Sequence, residues 1–89
     1  MTYQEWDTEN RENITETFGN LSLKVNSIER LHPNGEYKIE VDPVFGLPLF
    51  TSGYAKTLET TLEAKEFYLY GWVVYPEYLS FLVRTWKEE

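Results

Sequence analysis

The feature that most constrains the fold is a run of nine residues, 67–75, in which both alternating sets of side chains are largely apolar or aromatic. Successive side chains of a β-strand point to opposite faces of the sheet. One set would be buried on the inner face: Phe67, Leu69, Gly71 and Val73. The other set would form the second face: Tyr68, Tyr70, Trp72 and Val74.

A chain of 89 residues rarely has enough structure to cover two such faces. Tyr and Trp are also enriched where proteins contact each other. We therefore predict that the Tyr and Trp face of this strand is a contact surface. The alternative is that helices of the chain itself cover both faces of the sheet.

The first half of the chain predicts a helix followed by a hairpin. Residues 2–5 have the form of a capping box, and we predict a helix over residues 3–18. Apolar residues then alternate over residues 21–42 on both sides of an Asn-Gly pair at 34–35. That pair favours the positive φ angles of a tight hairpin turn. A phase shift at 26–27 indicates a bulge or bend in the first strand.

The second half contains one element whose type the sequence leaves open. Residues 44–53 are apolar but interrupted by Gly and Pro, which predicts a packed irregular connection, with a short edge strand as an alternative. Residues 54–66 fit an amphipathic helix, and a strand nearly as well; we favour the helix. After the strand at 67–75, Pro76 is expected to begin a last helix.

Together these elements predict a single α+β domain over residues 1–89. We expect a small antiparallel sheet of three to four strands, with N-terminal and C-terminal helices packed on it.

Charge and composition restrict the classes of function. A net charge of −7 is repelled by phosphate backbones and anionic membranes, so we expect neither direct nucleic-acid binding nor membrane binding. The absence of cysteine excludes disulfides, thiolate chemistry and cysteine zinc sites. The N-terminal residues lack a signal-peptide pattern, and the apolar runs are too short to span a bilayer. We therefore expect a cytoplasmic protein.

No motif indicates catalysis or a cofactor. The only histidine, His32, precedes a proline in the predicted turn, and we interpret it as a solvated turn residue. The glycines do not have the spacing of a phosphate loop, and the acids do not form a cation-binding loop. No nucleophile lies beside a base. We expect a non-enzymatic protein with neither a metal site nor a cofactor.

The predicted first helix carries a regular row of acids. Glu5, Glu9, Glu12 and Glu16 follow one another at intervals of four, three and four residues. They would therefore share one side of the helix, with steps of about 4.5 to 6 Å along its axis. That spacing is near the spacing of phosphates on a nucleic-acid strand, and such a row could occupy a basic groove that normally holds DNA or RNA. The alternative is a solvated polar face.

These features favour a non-enzymatic acidic module, of the inhibitor or immunity-protein type, that blocks a basic, nucleic-acid-handling protein. The four glutamates would bind it electrostatically. The aromatic residues expected to contact this partner or a second copy are Tyr68, Tyr70, Trp72, Tyr78 and Phe81. Two alternatives stay open: an assembly subunit that forms a homodimer or larger homo-oligomer through the aromatic face, and a small-molecule binder with a pocket near Phe45, Phe50 and Trp72.

Overall fold

The first helix begins where the capping box predicts. The computed structural model describes residues 2–42 and 52–86, and α1 spans Tyr3–Asn20. Thr2 is its N-cap: the Oγ1 atom accepts a hydrogen bond from the backbone N–H of Glu5 at 3.1 Å, and the hydroxyl donates to the Glu5 carboxylate at 3.1 Å. The first of these bonds satisfies a backbone donor that the helix itself leaves unpaired. The helix predicted over residues 3–18 is confirmed.

The predicted hairpin follows α1. Strand β1 (Val25–His32) pairs antiparallel with β2 (Glu36–Val41), and Gly35 in the turn has a φ of +100°. The register shifts between Val25 and Ser27, which confirms the predicted bulge. The first strand begins four residues later than the alternation predicts, because a turn follows α1.

The next two elements also agree with the sequence. Helix α2 spans Ser52–Glu63, so the helix is correct for this segment and the strand is not. Strand β3 spans Tyr68–Val74, within the predicted run. The irregular connection predicted over residues 44–53 lies mainly outside the described residues, as do Phe45 and Phe50 of the predicted pocket.

The last predicted helix is wrong, because this segment forms strand β4 (Leu79–Arg84). Pro76 lies in the β3–β4 turn, where the backbone N–H of Tyr75 donates to the carbonyl of Tyr78 at 2.9 Å. The apolar residues of this segment fit a helical stripe as well as a strand. Pairing decides between the two, since β4 forms ladders with β2 on one side and β3 on the other.

The sheet has the strand order β1-β2-β4-β3, with every neighbouring pair antiparallel. Side chains from both helices and from the sheet meet in one buried cluster. Its members are Ile14, Phe18, Leu23, Tyr37, Ile39, Val41, Leu58, Leu62, Phe67, Leu69, Leu79, Phe81 and Val83. Because α1 and α2 contribute to the same cluster, they lie on the same face of the sheet. The α+β class with a four-stranded antiparallel sheet is confirmed.

The other face of the sheet carries charged and aromatic side chains. On β2, Glu36, Lys38 and Glu40 alternate with the buried residues and therefore point away from both helices. The alternative in which helices cover both faces is thus wrong for the two described helices. Neither of them has the length and apolarity needed to cross a bilayer.

Candidate protein-contact surfaces

The acidic row, defined as Glu5, Glu9, Glu12 and Glu16, lies on the solvent side of α1. All four residues are exposed. At about 100° per residue they fall within an arc of about 60° around the helix axis. The buried residues of α1 are centred on the opposite side: Asn10, Ile14, Thr17 and Phe18. The structure therefore brings the four predicted carboxylates together on one exposed surface.

The acidic row is not neutralised by the rest of the described chain. Within residues 2–42 and 52–86, the lysines and arginines that form ion pairs do so with other acids. Examples are Lys24 with Asp42 at 3.9 Å and Lys56 with Glu59 at 3.2 Å. The row therefore presents its negative charge to solvent.

Asp7 differs from the acids of the row, although it lies between two of them in sequence. Its carboxylate accepts hydrogen bonds from the Tyr37 hydroxyl at 2.7 Å and from Arg11 Nε at 3.0 Å. An Arg30 nitrogen lies 3.6 Å away. Arg11 also donates to the carbonyl of Ile28 at 2.7 Å. This network ties α1 to both strands of the hairpin.

The same network shifts two pKa values. Burial opposes ionisation of Asp7, but the hydrogen bonds from Tyr37 and Arg11 and the charges of Arg11 and Arg30 outweigh it and lower the pKa of Asp7. Burial first, and then the hydrogen bond to Asp7, raises the pKa of Tyr37 to about 12. The hydroxyl also accepts a hydrogen bond from Asn10 Nδ2 at 3.3 Å. Asp7 is thus a structural anion, and Tyr37 is its neutral, fully buried donor.

A bulge in β3 separates the predicted aromatic contact residues. Leu69 pairs with Val83 and Gly71 with Leu82, so Tyr70 is the extra residue. Beyond the bulge, Trp72 pairs with Phe81 and lies on the helix side of the sheet. The prediction that Tyr68, Tyr70 and Trp72 share one face is therefore wrong, because strict alternation does not continue through a bulge.

Tyr68 and Tyr70 lie half-buried on the face away from the helices, near Arg84. The Arg84 guanidinium carbon is 3.7 Å from the centroid of the Tyr70 ring, and the Tyr70 hydroxyl donates to the Glu36 carboxylate. Burial first, and then this hydrogen bond, raises the pKa of Tyr70 to about 12. The hydroxyl and the ring of Tyr70 therefore both have partners within the molecule.

The exposed apolar surface of this region lies at the end of β3. Trp72 is 44% exposed, Val73 46%, Val74 48% and Tyr75 42%. We name these four residues the β3 end. Four consecutive residues with this exposure present apolar area on both faces of an edge strand.

The other two predicted contact residues differ in exposure. Tyr78 is half-buried and stacks on Tyr75 with ring centroids 4.6 Å apart. Phe81 is fully buried and contacts Phe18 edge to face at 5.3 Å. Phe81 is therefore a core residue, and its place in the predicted contact surface is a correction.

An aromatic groove, which the sequence reasoning missed, lies where α1, the hairpin turn and the end of β4 meet. It is open to solvent, has a volume of about 590 Å³ and is lined by Tyr3, Trp6, Pro33, Asn34, Thr85 and Trp86. Tyr3 and Trp6, three residues apart on α1, gave a partial signal. Trp86 gave none, because its segment was interpreted as helix.

The three surfaces do not form one patch. The aromatic groove adjoins the acidic row through Trp6, which lines a second depression together with Glu9. The β3 end lies at the other side of the molecule: α1 contacts β1, α2 contacts β3, and β1 and β3 are opposite edges of the described sheet. The acidic row and the β3 end are thus suited to separate contacts.

Among the described residues, no cluster of three or more His, Asp or Glu side chains is placed to hold a metal ion. A comparison of the chain with known protein families, curated proteins and solved structures finds no match in any of the three.

Proposed function

We propose that this protein is a non-enzymatic module that binds a basic protein partner through the acidic row. The observation that carries the proposal is the contrast within α1. Asp7 is paired with two arginines, whereas the four exposed glutamates have no ion pair within the described residues. A basic surface would supply the missing cations.

The energetics of α1 also favour an external cation. Like charges three or four residues apart repel each other and destabilise a helix by a few tenths of a kcal/mol per pair. A partner rich in Lys and Arg would convert this repulsion into attraction. Charge of one sign on a rigid helix also steers association, since it accelerates encounters with a basic surface.

We further propose that the partner handles nucleic acid, and that the protein inhibits it by occupying the basic groove. The carboxylates are about 4.5 to 6 Å apart along the helix axis, a spacing suited to cationic sites that otherwise receive successive phosphates. Binding of this kind would compete with DNA or RNA.

The test uses two variants with the same net charge. The row variant, E9Q/E12Q/E16Q, keeps the capping residue Glu5 and changes the charge from −7 to −7 + 3 = −4. The matched variant, E29Q/E63Q/E77Q, makes the same change at three exposed sites outside the acidic row and the depression beside it. Each is assayed against purified nucleases and polymerases, with an oligonucleotide as competitor. We expect a target that wild type and the matched variant inhibit and the row variant does not. If no target is inhibited, or if both variants fail equally, the proposal is wrong.

A second candidate function, homodimerisation through the β3 end, is favoured by a separate observation. Residues 67–76 contain no Asp, Glu, Lys or Arg, and four of them are highly exposed. Two copies that each carry a charge of −7 repel least where the contact has no charge. Antiparallel pairing of two β3 edges would also use their backbone hydrogen-bonding groups.

The dimer is tested by light scattering coupled to size exclusion. We expect wild type at twice the 10.6 kDa of one chain, and Val74→Lys or Trp72→Ala at the mass of one chain. Glu77→Lys, an exposed change in the following turn, serves as the control and should leave the dimer intact. A wild-type protein that stays monomeric at high concentration would exclude this candidate.

A further inference from the structure

The aromatic groove has walls that are held in place by backbone and side-chain hydrogen bonds. The Tyr3 hydroxyl donates to the carbonyl of Pro33 at 2.8 Å, and Thr85 Oγ1 donates to the carbonyl of Asn34 at 2.8 Å. The backbone N–H of Thr85 donates to the carbonyl of Gly35 at 3.0 Å. The helix N-terminus, the hairpin turn and the end of β4 are therefore joined, and the groove is formed before any ligand binds.

Gly35 allows this close approach. A β-carbon at this position would lie 2.5 Å from Thr85 Oγ1 and 2.8 Å from the Trp6 ring. Its φ of +100° is also one that other residues rarely adopt. The lack of a side chain therefore lets Trp6 and Thr85 both reach the turn.

The lining of the groove suits a flat cation. Three aromatic rings, those of Tyr3, Trp6 and Trp86, border it, and the faces of such rings attract cations. A guanidinium group is planar and stacks on rings more readily than an ammonium group does. Arginines of the chain itself make such contacts: Arg11 on Tyr37, Arg30 on Tyr3, and Arg84 on Tyr70 and Trp86.

The acidic row reaches the groove through Trp6. This residue lines the neighbouring depression together with Glu9 of the row and with Lys65 and Glu66, whose opposite charges offset each other. Arg30, which lies 5.1 Å from the Tyr3 ring centroid, is offset by Asp7 at 3.6 Å. Arg84 lies closer to Tyr70, at 3.7 Å, than to Trp86, at 5.8 Å. A cation that binds the acidic row therefore has a ring-lined groove directly beside it.

We propose that the aromatic groove binds an arginine side chain of the basic partner, next to the acidic row. This inference rests on the proposed function and adds a specificity to it: the acidic row attracts any cationic surface, and the groove selects arginine over lysine. The acids and the rings would thus supply affinity and preference separately.

The experiment measures the affinity of two probes, octaarginine and octalysine, by isothermal titration calorimetry. We expect wild type to bind octaarginine about five-fold more tightly than octalysine, the size of one cation–π contact. Trp86→Leu and Tyr3→Leu should each reduce that ratio towards one. The control Trp72→Leu, the same change at the β3 end, should keep the ratio. The row variant should bind both probes more weakly and leave the ratio of the two affinities unchanged.

The outcomes separate the two proposals. If wild type binds neither probe, the proposed function fails and the groove fails with it. If wild type binds both probes equally, or if the preference for octaarginine survives in Trp86→Leu and Tyr3→Leu, only the proposal that the groove selects arginine is overturned. Circular dichroism of each variant checks that it is folded, and the ratio of two affinities is insensitive to a shared loss of folded protein.

Discussion

The inner and outer sides of α1 carry the same kind of charge and use it differently. On the inner side, Asp7 is held by Tyr37, Arg11 and Arg30, and its charge joins the helix to the hairpin. On the outer side, the acidic row faces solvent and forms no ion pair within the described residues. The role of a carboxylate on this helix is therefore set by the side on which it lies. The inner acid contributes to stability, and the outer acids are available for binding.

Loss of the inner charge should have the largest effect. Asp7→Asn keeps the shape of the side chain but leaves Arg11 and Arg30 without their anion. We expect the free energy of unfolding to fall by about 2 kcal/mol, because hydrogen bonds to charged groups are removed and a partly buried ion pair is broken. Urea denaturation measures the loss.

Glu9→Gln, on the outer side of the same helix, is the control for Asp7→Asn. It should change the free energy of unfolding by less than about 0.5 kcal/mol, as expected for an exposed residue. If Asp7→Asn and Glu9→Gln lowered the free energy of unfolding equally, the two sides of the helix would not differ in the way described.

The second-largest effect should be the pH dependence of the stabilisation by Asp7. The pKa of Asp7 is lowered in the folded protein, so its stabilisation is complete above the unfolded pKa and is lost as the pH falls through the folded value. We expect the free energy of unfolding of wild type to exceed that of Asp7→Asn by a constant margin above about pH 5. The margin should shrink below about pH 4. Urea denaturation across this range checks it, and a margin independent of pH would contradict the assignment.

The smallest effect should come from the outer side. The row variant, E9Q/E12Q/E16Q, removes repulsion between neighbouring carboxylates. It should therefore raise the free energy of unfolding by about 0.5 kcal/mol at low salt. The gain should decrease as salt screens the charges. The matched variant, E29Q/E63Q/E77Q, should show a smaller gain, since its sites do not form one row. Thermal unfolding at two salt concentrations compares the two variants.

The sequence predicted those parts of the fold that are set by local signals. Each of these signals lies within a few residues of sequence: capping at Thr2, the Asn-Gly turn and the change of phase in β1. The last segment was misread as a helix because its apolar residues satisfy two periods at once. Hydrogen bonds to β3, across the turn at 75–78, and to β2, which is remote in sequence, decide its type. The apolar pattern of the segment alone does not contain this information.

The candidate surfaces were predictable to a similar extent. The acidic row follows from spacing on one helix and needs no tertiary information. The grouping of Tyr68, Tyr70 and Trp72 failed at a bulge, which Gly71 could have signalled. The aromatic groove combines three segments that are remote in sequence. Only the folded chain brings these segments together.

The most direct test of the acidic row is the salt dependence of octalysine binding, measured for wild type, the row variant and the matched variant. We predict that wild type and the matched variant lose at least about ten-fold in affinity between about 50 and about 300 mM salt, and that the row variant binds weakly at both. If the two variants instead weaken equally, binding depends on total charge alone, and the acidic row is not a binding surface.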